Sequence, residues 1–125
     1  MNPIKEAEFQ KRITDMATRF GWTWRHVPAP MVKRGDHWVG AKQAAGLPDL
    51  LLVHDNPPRL ILAEIKGDGG KLSDDQRDLL AALRNVADYS GWVGRTPIPR
   101  TLGVYAWFPE DEPTIEQILR TRILI

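Results

Sequence analysis

Two short apolar runs joined by a turn constrain the fold of this chain more than any other feature. The runs are residues 49–54 and 60–66, and the turn between them, residues 55–59, is rich in Asn and Pro. This pattern predicts two neighbouring strands of a β-hairpin. Because side chains two apart on a strand point to the same face, Glu64 and Lys66 should share one face of the second strand.

Charged residues occur at the ends of these two apolar strands, at positions that we would expect to be buried. Asp49 follows Gly46-Leu47-Pro48 at the start of the first strand, and Glu64-Ile65-Lys66 ends the second. Alone, Glu-x-Lys is usually a surface ion pair, and Pro-Asp is often only a turn. Together on neighbouring strands they favour a site for a divalent metal ion, because buried acids without partners are costly.

Hard cations such as Mg²⁺ and Mn²⁺ prefer oxygen ligands. Asp49, Glu64 and the backbone carbonyl of Ile65 are the predicted ligands. Lys66 would hold or help to deprotonate an attacking water, or offset charge on a phosphate. Such a centre is suited to phosphodiester hydrolysis.

A first helix is predicted over residues 3–20, with Pro3 in its first turn. Its apolar face repeats at three- and four-residue spacing and consists of Phe9, Ile13, Met16, Ala17 and Phe20. Glu6 falls on this face, whereas Glu8 projects toward solvent. We therefore expect Glu6 to point inward and to be a further metal ligand, direct or through water.

A second helix is predicted to begin at Ser73. Gln76, three residues later, completes a capping-box pattern. It lies in register with the expected buried positions, which are Leu79, Leu80, Leu83 and Val86. From there Gln76 could position water or substrate.

The remaining elements complete one layered fold. A strand is expected near residues 22–27, a long loop over 28–46, an exposed loop over 90–100, a strand over 102–108 and a helix from Pro113 to about Arg120. This order predicts an α/β fold of the α+β layer type, with a small mixed β-sheet flanked by helices. At 125 residues, we expect a single domain over 1–125.

Composition excludes several other classes of site. The absence of cysteine removes disulfides, thiolate zinc sites and a cysteine nucleophile, and it fits a reducing compartment. No apolar run approaches the roughly 20 residues of a membrane span, and the N-terminus has no signal core. We expect a cytoplasmic protein with no membrane partner. Gly67 to Lys71 lacks the spacing of a phosphate loop, so no nucleotide cofactor is expected.

Basic side chains are concentrated in residues 25–42, although the net charge of the chain is only +1. A basic segment beside an acidic metal site would attract DNA phosphates, while an ordinary solvated loop would have the same composition. The candidate DNA contacts are Arg25, His26, Lys33, Arg34 and Lys42, together with Lys71. His26 could equally cap its strand, and the histidines are too loosely spaced to favour zinc. Trp38 and Trp92 could stack on unpaired bases or serve as packing or dimer contacts.

These motifs resemble the PD-(D/E)xK nuclease superfamily and, more narrowly, the VRR-NUC family, which occurs alone in phage and bacterial proteins. The similarity rests on Gly46-Leu47-Pro48-Asp49, on Glu64-Ile65-Lys66-Gly67 and on Gln76. Glu6-Ala7-Glu8-Phe9-Gln10 is similar to the family's helical motif, and residues 104–109 to its closing strand. Residues 88–101 are longer than the family's usual connection.

The resemblance implies a restriction-endonuclease-like core and a Mg²⁺- or Mn²⁺-dependent DNA endonuclease. Its site residues would be Glu6, Asp49, Glu64, Lys66 and Gln76. Stand-alone members tend to be homodimers that act on branched DNA such as the Holliday junction, which would place this chain in a bacterial or phage-infected cell. The alternatives are a nuclease-fold module that binds DNA without cutting it and a structural or interaction protein built on the same sheet.

Overall fold

The structure is a computed structural model that describes residues 2–27, 31–40 and 46–125. The helices are α1 (Glu6–Arg19), α2 (Asp74–Tyr89) and α3 (Glu112–Thr121). The first five strands are β1 (Thr23–His26), β2 (Met31–Arg34), β3 (His37–Gly40), β4 (Leu50–Asp55) and β5 (Pro58–Ile65). The last three are β6 (Trp92–Val93), β7 (Thr96–Pro97) and β8 (Leu102–Trp107).

A four-stranded mixed sheet forms the centre of the fold, with strand order β1-β4-β5-β8. β4 pairs antiparallel with β1 and β5, whereas β5 pairs parallel with β8. A parallel pair needs a long crossover, and α2 provides it. The predicted α+β fold is therefore confirmed.

The two faces of the sheet are covered by different helices. Helices α1 and α3 pack with the buried side chains Ile61, Ala63 and Ile65 of β5 in the larger core. Helix α2 packs with β8 on the other face, where Leu80 contacts Val104. Because strand side chains alternate, Glu64 lies on the face of α2.

Several predicted elements are confirmed. The β4–β5 hairpin pairs Asp55 with Pro58, so residues 55–59 contain the expected turn. Ser73 caps α2 in a capping box with Gln76. The final helix also forms, over Glu112–Thr121.

Other predictions are wrong. Residues 28–46 are not all loop, because β2 and β3 pair as a hairpin, and the 90–100 segment contains the short β6–β7 hairpin. Val86 is 58% exposed, and Ala87 takes the buried position at the end of α2. Helix α1 begins at Glu6, so Pro3 precedes it.

The C-terminal residues are part of the packed structure. Leu124 is buried in the larger core, and the hydroxyl of Tyr105 donates to the Ile125 carbonyl oxygen at 3.0 Å. In the described part of the chain, no helix is long and apolar enough to cross a membrane.

Candidate metal centre

Asp49 is held by backbone groups of two neighbouring elements. Its Oδ2 accepts a hydrogen bond from the Ile65 N–H at 2.9 Å. Its carbonyl oxygen accepts from the Val27 N–H at 2.8 Å, just after β1. The carboxylate is thereby fixed beside the carboxyl end of β5, and its second oxygen is left for other contacts.

Glu64 is the most deeply buried acid of the site, with 2% of its surface exposed. Its Oε1 accepts a hydrogen bond from Gln76 Nε2 at 2.8 Å and lies 3.6 Å from Lys66 Nζ. Its Oε2 is also buried and has no hydrogen-bond partner among the residues that the structure describes. An unpaired buried carboxylate oxygen is costly and is typical of a site that binds a further group.

The capping box of α2 fixes the orientation of Gln76. The Ser73 N–H donates to Gln76 Oε1 at 2.9 Å, and the Gln76 N–H donates to Ser73 Oγ at 3.1 Å. Because the amide oxygen accepts the Ser73 N–H, the amide nitrogen must be the group that faces Glu64. One side chain therefore both begins the helix and orients the buried carboxylate.

Gly46 brings the Pro-Asp segment against the first turn of α2. Its φ of +85° lies in the left-handed region, and a Cβ there would meet the Asp75 carbonyl oxygen at 2.4 Å. The short loop before Asp49 can approach α2 this closely only with glycine. This contact places Asp49 and Gln76 on the same side of the sheet.

The pKa of Glu64 is raised to about 8, and burial is the largest cause. The negative charge of Asp49 also raises this pKa, as does a hydrogen bond that only the protonated form of Glu64 can donate to Asp49, whereas the ammonium of Lys66 partly lowers it. A bound cation would counteract this shift, because it would bring positive charge to two adjacent carboxyl groups in a buried site.

The donor set fits a hard divalent cation. When ionised, Asp49 and Glu64 each keep one carboxylate oxygen outside the hydrogen bonds with the Ile65 N–H and with Gln76. The Ile65 carbonyl points to the same edge of β5 as its N–H, which contacts Asp49. In the described residues, no group of three or more His, Asp or Glu side chains could hold a metal. Two carboxylates and one carbonyl suit Mg²⁺, which keeps several waters.

The structure does not bring Glu6 into this cluster. Glu6 is exposed, so the prediction that it points inward is wrong. It is the first residue of α1, and the first buried side chain of that helix is Phe9. Glu6 instead lines a cleft of about 380 Å³ together with Lys66 and Lys71. Its role as a metal ligand stays a prediction.

Asp68 is a positioning residue that the sequence did not reveal. Its Oδ2 accepts from the Ile4 N–H at 2.7 Å, and its own N–H donates to the Ile4 carbonyl at 2.9 Å. Gly67 lies so close that a Cβ would meet the Glu6 nitrogen at 2.5 Å. The loop after Lys66 therefore anchors the start of α1, and an Asp between glycines was the available signal.

The candidate DNA-contacting side chains are distributed over three segments. Exposed members are Arg25 and His26 on β1, Lys33 and Arg34 on β2, and Lys71 after β5. The Arg25 guanidinium donates to the Trp24 carbonyl at 2.7 Å. Lys42 lies outside the described residues, as does the side chain of Trp38, and Trp92 is half exposed on β6.

The fold and the site together define a class of protein. A mixed sheet carrying Asp49, Glu64 and Lys66 at neighbouring strand ends, with a helix covering that face, is the PD-(D/E)xK-like nuclease fold. The model of the VRR-NUC domain matches residues 10–91, which is 82 of the 125 residues, and the chain belongs to the VRR-NUC family.

The match determines the general type of activity. It contains Asp49, Glu64, Lys66 and Gln76, whereas Glu6 and β8 lie outside it. A VRR-NUC domain is a nuclease-type domain related to DNA, and nucleases of this kind generally use divalent metals. No curated protein and no solved structure matched the chain.

Proposed function

We propose that this protein is a metal-dependent endonuclease that hydrolyses phosphodiester bonds of DNA at Asp49, Glu64 and Lys66. The observation that carries the proposal is the buried Oε2 of Glu64, which lacks a partner among the described residues while Oε1 accepts from Gln76. An arrangement built only for stability would have paired or replaced such an oxygen.

Asp49, Glu64 and the Ile65 carbonyl would hold Mg²⁺ or Mn²⁺. When bound, the cation supplies positive charge to the phosphate and lowers the pKa of a water. Asp49 changes orientation little, because the Ile65 N–H fixes one of its oxygens. Gln76 keeps Glu64 oriented in the same way through Oε1.

Lys66 has donors available for the substrate. Its side chain is 15% exposed, and its Nζ lies 3.6 Å from Glu64 Oε1, which is too long for a strong hydrogen bond. Nζ can therefore donate to a non-bridging phosphate oxygen and offset the charge that develops there in the transition state. It also lines the cleft that contains Glu6 and Lys71, which gives the substrate strand a path to it.

We further propose that two copies act together on branched DNA in the cytoplasm of a bacterial or phage-infected cell. The described part of each chain contains one such centre, which would cut one strand at a time. Cutting both strands of a four-way junction at symmetric positions favours a two-fold pair.

The test is cleavage of supercoiled, linear and four-way-junction DNA in Mg²⁺ or Mn²⁺. Asp49→Asn retains an oxygen to accept the Ile65 N–H, and Lys66→Met retains the side-chain length. Each should lower the cleavage rate by about 10²-fold or more, because each removes a transition-state contact. Asp55→Asn is the matched control, since Asp55 is an exposed acid at the opposite end of β4.

If neither Asp49→Asn nor Lys66→Met lowers the rate, the proposed site is wrong. If the wild-type protein binds DNA equally well in chelator and never nicks it, the protein is a non-cleaving DNA-binding module.

A further inference from the structure

The segment between β1 and β4 begins and ends beside the proposed metal centre. Val27, which directly follows β1, donates its N–H to the carbonyl of Asp49. Gly46, near the other end of the segment, is packed against the Asp75 carbonyl next to Gln76. Both ends of this segment therefore lie within one or two residues of the proposed site, and this limits how far from it the residues between them can extend.

The middle of this segment is a β-ribbon with its own pairing. Strands β2 and β3 pair antiparallel from Met31↔Gly40 to Arg34↔His37, and they form a sheet separate from the central one. Gly35 has a φ of +63°, as the first position of a tight two-residue hairpin turn requires. The ribbon therefore ends at residues 34–37.

The end of the ribbon is exposed and predominantly basic. Residues 33–37 are all exposed, and they contain Lys33 and Arg34 against the single acid Asp36, with His37 opposite Arg34. Exposed cations contribute little to folding stability. Their concentration at the tip of a ribbon instead complements a polyanion.

The dimensions of the ribbon match a DNA duplex. Arg34 follows Val27 by seven residues, so it can lie at most about 25 Å from Val27, which is hydrogen-bonded to Asp49. A two-stranded ribbon fits the major groove, which is about 12 Å wide and bordered by phosphates on both sides. The chain therefore has both the reach and the width to contact DNA near the phosphate being cut.

We propose that the β2–β3 ribbon is an arm that grips the duplex beside the cleavage site, with Lys33 and Arg34 on phosphates that border the major groove. This inference rests on the proposed function, because it takes DNA as the substrate. The arm supplies affinity and position, whereas Asp49, Glu64 and Lys66 carry out the hydrolysis.

The test compares Lys33→Ala/Arg34→Ala with the wild-type protein in duplex binding and in steady-state cleavage. Binding is measured with a labelled duplex in chelator at several salt concentrations. Loss of two phosphate contacts should reduce the salt slope of log K by about 1.8, so the wild type should lose about 12-fold more affinity than the variant between about 50 and 200 mM salt. KM should rise, and kcat should stay within about twofold.

The matched control is Lys11→Ala/Arg120→Ala, which removes two exposed cations from α1 and α3. Charge reversal, Lys33→Glu/Arg34→Glu, should enlarge the effect on binding, and thermal unfolding should show all variants folded. If the arm variants match the control in salt slope and KM, the arm does not bind DNA and the inference is overturned. A changed salt slope in a protein that never cuts DNA would support the arm and overturn only the endonuclease.

Discussion

The proposed metal centre contains Asp49, and the chain leading to the β2–β3 arm passes through Val27, which is hydrogen-bonded to Asp49. The two regions differ in what surrounds their charged side chains. Glu64 is 2% exposed and shares its surroundings with Asp49, Lys66 and Gln76. Lys33 and Arg34 are exposed on a ribbon that belongs to a separate sheet. The same chain thus presents one polar cluster in a low-dielectric environment and another in water.

This difference predicts two kinds of response to substitution. Buried charges interact strongly, so a change at one site residue alters the protonation and stability of the others. Exposed charges are screened by solvent and salt, so their effects on folding are small and nearly independent. Site substitutions should change rate and stability together, whereas arm substitutions should change affinity alone.

The largest expected effect on stability comes from Glu64→Gln in metal-free protein. The folded state holds the Glu64 proton more tightly than the unfolded chain, since the pKa is raised from 4.5 to about 8. The contribution of the carboxyl group to stability is therefore complete below about pH 4.5 and is lost as the pH rises through about 8. The substituted amide can still accept from Gln76 and can donate to Asp49.

Urea unfolding in chelator measures this effect. Relative to the wild type, Glu64→Gln should gain stability as the pH rises from about 4.5 to about 8, by up to about 5 kcal/mol, because one unit of pKa difference corresponds to about 1.4 kcal/mol. Glu116→Gln, at an exposed position of α3, is the control and should show no such gain. If the stability of the wild type and of Glu64→Gln changed with pH in parallel, the buried Glu64 would respond to pH no differently from an exposed acid, and the distinction between buried and exposed charge would be wrong.

A smaller effect is expected at Gln76. Gln76→Ala removes both the capping bond to Ser73 and the bond to Glu64, and it should cost about 1 kcal/mol of stability and about tenfold in cleavage rate. Ser73→Ala should cost similar stability, because it removes the other half of the capping box. Its rate should stay near that of the wild type, since the Gln76 amide remains.

Cleavage assays and unfolding of the two variants separate these effects. Equal losses of rate would show that α2 acts only through its stability and that Gln76 does not position Glu64.

The sequence predicted the positions of candidate site residues where local geometry determines them. Strand alternation places Glu64 beside Lys66, and the capping pattern places Gln76 at the start of α2. The prediction that Glu6 points inward was wrong. Helical periodicity predicts which face of α1 is apolar, but it does not predict where along the helix packing begins, and here packing begins only at Phe9. The prediction that Val86 is buried was wrong for a similar reason, because the packing of α2 against β8 buries Ala87 instead.

The arm could have been predicted only in part. Gly35-Asp36 is a tight-turn signal, but the charged and proline-containing residues around it have no clear alternation. Its two strands pair with each other in a sheet separate from the central one, so the apolar pattern of the central strands does not extend to them.

The most direct test of the metal centre is thermal unfolding with and without saturating Mg²⁺ or Mn²⁺ at neutral pH. A cation that binds only the folded state raises the melting temperature. We predict a rise for the wild type and for Asp55→Asn, and none for Asp49→Asn or Glu64→Gln. An unchanged melting temperature in the wild type, or an undiminished rise in Glu64→Gln, would contradict a metal centre formed by Asp49 and Glu64.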